Sequence, residues 1–444
     1  MAEVLPFRGI LYNPVKVDRL ADVITPPFDV ISNTEQDRFY QNSPFNMIRL
    51  IRGKTTAYDT RVSNPHSRAA DYLTKWLTDA IFIKDSKPAF YLTTLDFNAD
   101  QKDYRRFGLI ALVKLSPYDA GVILPHERTF TNVKSERLEL MKACHANFSP
   151  IFSMVPDDDG MMFDSMRQLT EQIEADIDFN ALDGCRHKLW RIVDPRMVLE
   201  LTDAVRSRKL YIADGHHRYE TALNFRNWMH ETHPSLPFEH PANFVMMYLS
   251  SMSDPGLIIR PAYRLLKEVS QSALDRLLES ARSLFQVDAF PFREYERDKA
   301  LLRFVTDIQG HGERSSIGMY MKGRNAFYRL TMSEADSMDE LFGPDLSGPL
   351  RQLDVVVLTQ VLFTKFLRFD QARLDNEKLI AYTTNAQEAA ARVTGGEFDV
   401  CFLLNPTSVK QVRDVADSGL VMPRKATYFY PKVTTGLVIN RLTP

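Results

Sequence analysis

Asp214-Gly215-His216-His217-Arg218 places a carboxylate, a glycine, two imidazoles and a guanidinium in consecutive positions. Carboxylates and imidazoles accept and deliver protons, and a planar guanidinium matches phosphate oxygens in pairs. A second stretch, Leu124-Pro125-His126-Glu127-Arg128-Thr129-Phe130, offers another imidazole, carboxylate and guanidinium. His126 and Glu127 are candidates for a general base or for metal ligands. Position 130 is Phe, so the His-Glu-x-x-His pattern of the zinc proteases is absent. A third stretch, Lys425 to Lys432, holds two lysines and two tyrosines suited to phosphate or carboxylate. Each stretch also has a plainer reading. Asp214 is a helix cap, Gly215 a turn glycine, His126-Glu127 a solvated loop pair, and the tail an edge hairpin with exposed lysines.

The elements around the first stretch favour chemistry. Residues 210–213 form a short apolar, β-prone run that Asp214-Gly215 interrupts. Residues 218–230 then read as a helix, with Ala222, Phe225 and Met229 on one face. A strand, a tight turn and a helix follow one another, with polar groups crowded at the C-terminal end of the strand. A helix N-terminus presents N–H groups and a positive dipole end, which suits phosphate. Gly215 would let a ligand approach the backbone closely.

Elsewhere the chain alternates strands and helices. Asn46–Ile51 reads as a strand. Asn64-Pro65 opens a helix, with Asn as N-cap and Pro at the first position. Residues 89–97 and 104–115 read as a hairpin joined by 98–102. Residues 134–144, 161–177, 195–207 and 270–285 read as helices, and 352–367 as one apolar helix. Asp157–Gly160 reads as a solvated acidic turn lacking the spaced ligands of a calcium loop. From Lys378 onward, strand, helix, strand and helix form an α/β unit. The Pro- and His-rich loop 232–241 marks a boundary between domain 1–240, which carries the candidate site, and domain 241–444, with a closing hairpin. The expected fold is α+β, with mixed β-sheets and flanking helices.

The chain has 444 residues and a net charge of −2 with mixed signs, so no basic field recruits nucleic acid. Cys144, Cys185 and Cys401 are far apart, which supports neither a disulfide framework nor a cysteine zinc site and fits a reducing cytoplasm. The opening lacks a basic segment followed by an apolar run, so no signal peptide is expected. The longest apolar run, near 242–253, is too short to span a bilayer. No membrane partner is expected, and the partner is a small molecule.

Taken in order, Pro26-Pro-Phe-Asp-Val-Ile31, His126-Glu127-x-Thr129 and Asn147-Phe-Ser-Pro-Ile-Phe152 resemble the bacterial and archaeal domain of unknown function 1015 family. So do Asp214–Ala222, Asp254-Pro-Gly-Leu257 and the Met422–Lys432 tail. One departure is Pro261-Ala262-Tyr263-Arg264, where the family pattern ends in Pro-Thr-His-Arg. Either Tyr263 replaces that histidine or its role is lost. The Asp-Gly-His-His-Arg turn is also similar to a phosphate-binding motif of the ParB/sulfiredoxin-like superfamily and its free-serine kinases. That similarity covers about residues 90–230 and implies a ParB/sulfiredoxin-like core in the N-terminal part.

The resemblance implies a nucleotide-dependent phosphotransferase, using ADP or ATP with Mg2+ and acting on a small hydroxylated metabolite, serine or phosphoserine first. Glu127, Asp214, His216 and His217 are its candidate catalytic residues. Gly215, Arg218, His126, Arg128, Lys425 and Lys432 are its candidates for binding the nucleotide. Two alternatives stay open. One is a metal-dependent hydrolase using His126, Glu127, Asp214, His216 and His217. The other is a non-enzymatic, nucleotide-gated binding protein.

Overall fold

The structure is a computed structural model and describes residues 2–127, 131–310, 315–333, 346 and 348–443, with the backbone alone at 131–135. The chain divides into two compact units. The first comprises Met1–Pro125, Thr129–Ile258 and Pro431–Pro444, and the second comprises His126–Arg128 and Ile259–Tyr430. The loop 232–241 therefore lies inside the first unit, and Pro431–Pro444 groups with it although it is last in sequence.

The first unit is built on a nine-stranded mixed sheet. Its strands are β1 (Val4–Leu5), β2 (Phe90–Ala99), β3 (Lys102–Lys114), β4 (Ile123–Leu124) and β5 (Ile151–Val155). They continue with β6 (Ile177–Asn180), β7 (Arg186–Ile192), β8 (Leu210–Asp214) and β9 (Phe244–Ser251). The order is β4-β8-β5-β9-β3-β2-β7-β6, with β1 alongside β3. The β4–β8 and β5–β9 pairs are parallel and the other pairs antiparallel. β5, β8 and β9 are almost wholly buried, as near-continuous apolar runs require.

Helices α1 (Asn33–Asn42), α2 (Pro65–Thr78) and α3 (Thr131–Cys144) precede α4 (Met161–Gln172), α5 (Pro195–Val205) and α6 (His216–Thr232). Asn64 caps α2 by accepting from the N–H groups of His66 and Ser67, and Pro65 needs no partner there. Met162, Met166 and Leu169 of α4, Leu201 and Val205 of α5, and Tyr219 and Ala222 of α6 join the sheet in one apolar core.

The second unit has its own sheet: β10 (Tyr263–Leu266), β11 (Phe285–Pro291), β12 (Ser316–Met321), β13 (Ala326–Met332), β14 (Ile380–Thr383) and β15 (Val400–Leu403). Its strand order is β11-β13-β12-β15-β10-β14. Helices α7 (Gln271–Ala281), α8 (Arg297–Gln309), α9 (Ala386–Thr394) and α10 (Val409–Asp417) accompany it. The chain is thus a mixed α/β protein with several sheets. Among the described residues, no helix is long and apolar enough to cross a membrane.

Several local expectations are corrected. Ile48–Ile51 is a helical turn, not a strand, and the Asn46 side chain just before it accepts the Ile48 N–H at 2.9 Å. An apolar run this short carries no usable periodicity. Residues 354–366 form an α-helical turn, Asp354–Val357, followed by wider π-helical turns over Leu358–Phe366. The β2–β3 hairpin closes at Asp100 and Gln101, both with positive φ, which is tighter than a loop over 98–102. Asp157 is not solvated: it is buried, accepts the Met162 and Phe163 N–H groups at 3.0 and 2.9 Å, and pairs with Arg208 at 3.0 Å. The tail is not a hairpin. Tyr428–Tyr430 pairs with Ile258–Arg260, and Asn440–Arg441 pairs with Ala146–Asn147. Pro431 has no N–H with which to continue a ladder.

Candidate functional site

β8 ends at Asp214, where the register against β5 shifts between Ile212 and Asp214. Gly215 follows with φ 103°, in the region that disfavours a side chain, and α6 begins at His216. A Cβ on Gly215 would lie 2.9 Å from Arg218 Cζ, so the guanidinium packs where any other side chain would stand. Glycine is required here twice, by conformation and by contact. The 17-residue helix points its N-terminal N–H groups past this glycine, which has no side chain to cap them.

Three charged side chains meet at the turn. Arg218 donates to Asp214 Oδ2 at 2.5 Å and to the carbonyl of Pro150. Lys432 donates to Asp214 Oδ1. The side chains of Asp214, Arg218 and Lys432 are 12, 11 and 14% exposed. Burial alone would push the Asp214 carboxyl up. The Lys432 ammonium, then the Arg218 guanidinium, hold it well below the usual carboxylate range. His216 is buried at the first helical position and His217 is half-buried.

Other sequence motifs lie in the same unit. Ser149 and Thr435 share a hydroxyl hydrogen bond of 2.6 Å, and Thr435 pairs with Thr25 through both backbone N–H groups. Arg106 donates to the carbonyl of Pro431 at 2.8 Å, one residue before Lys432. Asp254 accepts the N–H groups of Phe107 and Gly256, both at 2.7 Å. Beside Arg218 lies a pocket of about 60 Å³, walled by apolar side chains such as Ile51, Leu140 and Phe148, with Arg137 among its polar groups. The Arg137 guanidinium stacks 4.1 Å from the ring of Phe28.

The remaining expected residues lie in the second unit. His126 is buried, 3.0 Å from Thr427 Oγ1 through Nε2, and its carbonyl accepts the Met422 N–H. Glu127 forms a parallel bridge with Met422 and is half-buried. Lys425 is exposed, with φ 57°, and its carbonyl accepts from Arg264. Arg128 lies outside the described residues. The first unit thus brings Asp214, Gly215, His216, His217, Arg218 and Lys432 together. Sequence reasoning missed Arg106, Pro150 and Thr435 near this group, and Arg137 in the pocket beside Arg218. Arg106 carried one signal, a cation directly before the apolar run 107–113. Among the described residues, no three His, Cys, Asp or Glu side chains form a metal-holding group.

Residues 4–356 match the family model described as "Protein of unknown function (DUF1015)". The chain belongs to this family. A search of curated proteins found no match. Among solved structures, this DUF1015 chain is similar to a conserved hypothetical protein from Pyrococcus furiosus, with 10% identity, 75% of this chain and 95% of that one covered, and a TM-score of 0.34. It is also similar to a free serine kinase variant in complex with AMP, with 11% identity, 74% and 92% covered, and a TM-score of 0.34. A third is SbnI with a C-terminal truncation from Staphylococcus aureus, with 13% identity, 74% and 82% covered, and a TM-score of 0.31. These likenesses are too distant to carry a function.

Proposed function

We propose that this DUF1015 protein is a nucleotide-dependent phosphotransferase of the kinase type, acting on the hydroxyl of a small metabolite, serine first, or in the reverse direction on phosphoserine. The observation that carries the reading is the Asp214–Arg218 turn: a positive-φ glycine at the N-terminus of a long helix, beside a carboxylate held by two cations. Such a turn suits phosphate, because backbone N–H groups, the helix dipole and nearby cations all favour negative charge. Its resemblance to the motif of the free-serine kinases supports the same reading.

In the proposed reaction the nucleotide supplies the phosphoryl group. The acceptor oxygen bonds to phosphorus as the phosphorus–oxygen bond to the nucleotide breaks, and the hydroxyl proton passes to a carboxylate. Asp214, held so far below the ordinary range, is a poor proton acceptor. We therefore give Asp214 the task of orienting Arg218 and Lys432, with the proton passing to a carboxylate other than Asp214. His216 and His217 flank the phosphates at the head of α6. Magnesium, held by the phosphates and one carboxylate, would supply charge neutralisation.

The test is a thermal-shift panel with ADP, ATP, CTP and pyrophosphate, each with and without magnesium, on the whole chain. A ligand at a hundredfold excess over its dissociation constant stabilises by about 2.7 kcal/mol. The expected result is a nucleotide-specific shift that disappears in Arg218→Ala, followed by serine-dependent turnover that disappears in the same variant. Full activity in Arg218→Ala overturns the assignment. A shift with zinc or manganese alone points instead to a metal-dependent hydrolase.

A further inference from the structure

Three separate sequence motifs converge on the pocket beside Arg218. Phe28 comes from Pro26–Ile31, Asn147, Phe148 and Ser149 from Asn147–Phe152, and Arg218 and Thr221 from Asp214–Ala222. All lie in the first unit. The pocket is partly open to solvent and has a volume of about 60 Å³. Such a volume has room for about four water- or methylene-sized groups.

The walls set the chemistry of those groups. Ile51, Leu140, Met141 and Phe148 help to make the inner surface mostly apolar. The polar groups that line it are engaged elsewhere. Thr221 Oγ1 donates to the His217 carbonyl at 2.7 Å, and Ser149 shares a hydroxyl hydrogen bond of 2.6 Å with Thr435. Asn147 Oδ1 accepts the Met246 N–H at 3.2 Å, and Arg137 donates to the Ile51 carbonyl at 2.6 Å. Among the described residues, no buried polar atom that lines the pocket lacks a partner. The interior therefore makes no polar demand, and an apolar occupant gains by displacing its water. One wall leads to the turn. The Arg218 guanidinium lines the pocket and also packs 2.9 Å from where a Gly215 Cβ would stand. An occupant of the pocket is thus one side chain away from the turn.

We propose that this pocket seats a short aliphatic arm, about four carbons long, of the acceptor whose hydroxyl receives the phosphoryl group at the Asp214–Arg218 turn. The assignment rests on the phosphotransferase reading and narrows its acceptor. Serine has no apolar group beyond its hydroxymethyl and leaves the pocket empty, so a homologue with an alkyl arm is the better acceptor. A purine base is too large for the space. The bonds made and broken in the transfer are unchanged, and the arm contributes binding alone.

The test uses the whole chain with nucleotide and magnesium. The acceptors are serine, threonine, and homologues carrying propyl, butyl or hexyl in place of the threonine methyl. KM should fall about fourfold for each carbon added up to butyl, the equivalent of about 0.8 kcal/mol per buried methylene, with little change in kcat, and should rise again with hexyl. Ala146→Leu fills the pocket and should return the butyl acceptor to the KM of serine. Met141→Ala enlarges it and should move the best acceptor toward hexyl, a shift that loss of stability cannot produce. Wild-type crystals under xenon should show an anomalous peak in the pocket, absent in Ala146→Leu. Serine turnover with a KM indifferent to arm length, or an optimum unmoved in Met141→Ala, overturns the pocket assignment and leaves the phosphotransferase reading standing. No turnover of any acceptor overturns both.

Discussion

Lys432 donates to the carboxylate of Asp214, a residue 218 positions earlier in the chain. Both side chains are nearly buried, so the contact is poorly screened by solvent. Replacing Lys432 with Met removes one of the two cations on that carboxylate and should destabilise the protein by about 2 kcal/mol. Lys425→Met, at an exposed position, should stay within about 0.5 kcal/mol of wild type. Urea midpoints of the two variants make the comparison, and equal losses would deny Lys432 its special place.

Gly215→Ala forces a Cβ against the Arg218 guanidinium at a φ that L residues rarely adopt. The expected cost is about 1–3 kcal/mol. Displacing Arg218 should also cost the nucleotide-dependent thermal shift. A variant with wild-type Tm and wild-type ligand response would show that the turn tolerates a side chain.

Asp214 gives a signed pH dependence. Its folded-state pKa is depressed, so its stabilising contribution is present above the unfolded value of about 3.9 and is lost as pH falls through that range toward the folded value. Asp214→Asn cannot make that contribution. It should be less stable than wild type at pH 7, and the gap should narrow as the medium is acidified below pH 4. Denaturant titrations at pH 7, 5 and 3 would reveal a constant gap if the carboxylate were not ionised in the fold.

His187 acts in a different window. Burial lowers its folded pKa from the ordinary 6.5 to about 4. The unfolded chain therefore takes up a proton first, and stability falls as pH drops from 6.5 toward 4, by about 3 kcal/mol in all. His187→Phe has no such group and should flatten that part of the profile. An identical slope in wild type and variant would assign the loss to other residues.

The strand, turn and helix around Asp214 were legible because each signal is local. The apolar run 210–213 ends at a glycine, and α6 carries its apolar residues at helical spacing. The helix began two residues earlier than the spacing indicated, at His216, because Gly215 alone completes the turn. Ile48–Ile51 misled for the opposite reason. Four residues hold no period, and the Asn46 side chain that accepts the Ile48 N–H lies outside the run. Asp157 looked solvated among its acidic neighbours, but the Arg208 and Ser251 side chains that neutralise and bury it come from distant elements.

By itself the sequence determined the family, the mixed α/β class and the chemical inventory of the turn, since composition, period and motif order are properties of contiguous residues. Only the tertiary structure decided which distant groups complete that turn. Lys432, the Ser149–Thr435 contact and the hold of Arg106 on Pro431 join residues 218, 286 and 325 positions apart. No spacing rule encodes such pairings. They arise because burying the sheet's apolar faces gathers residues 431–444 into the first unit, and charges carried into that low-dielectric setting favour a partner.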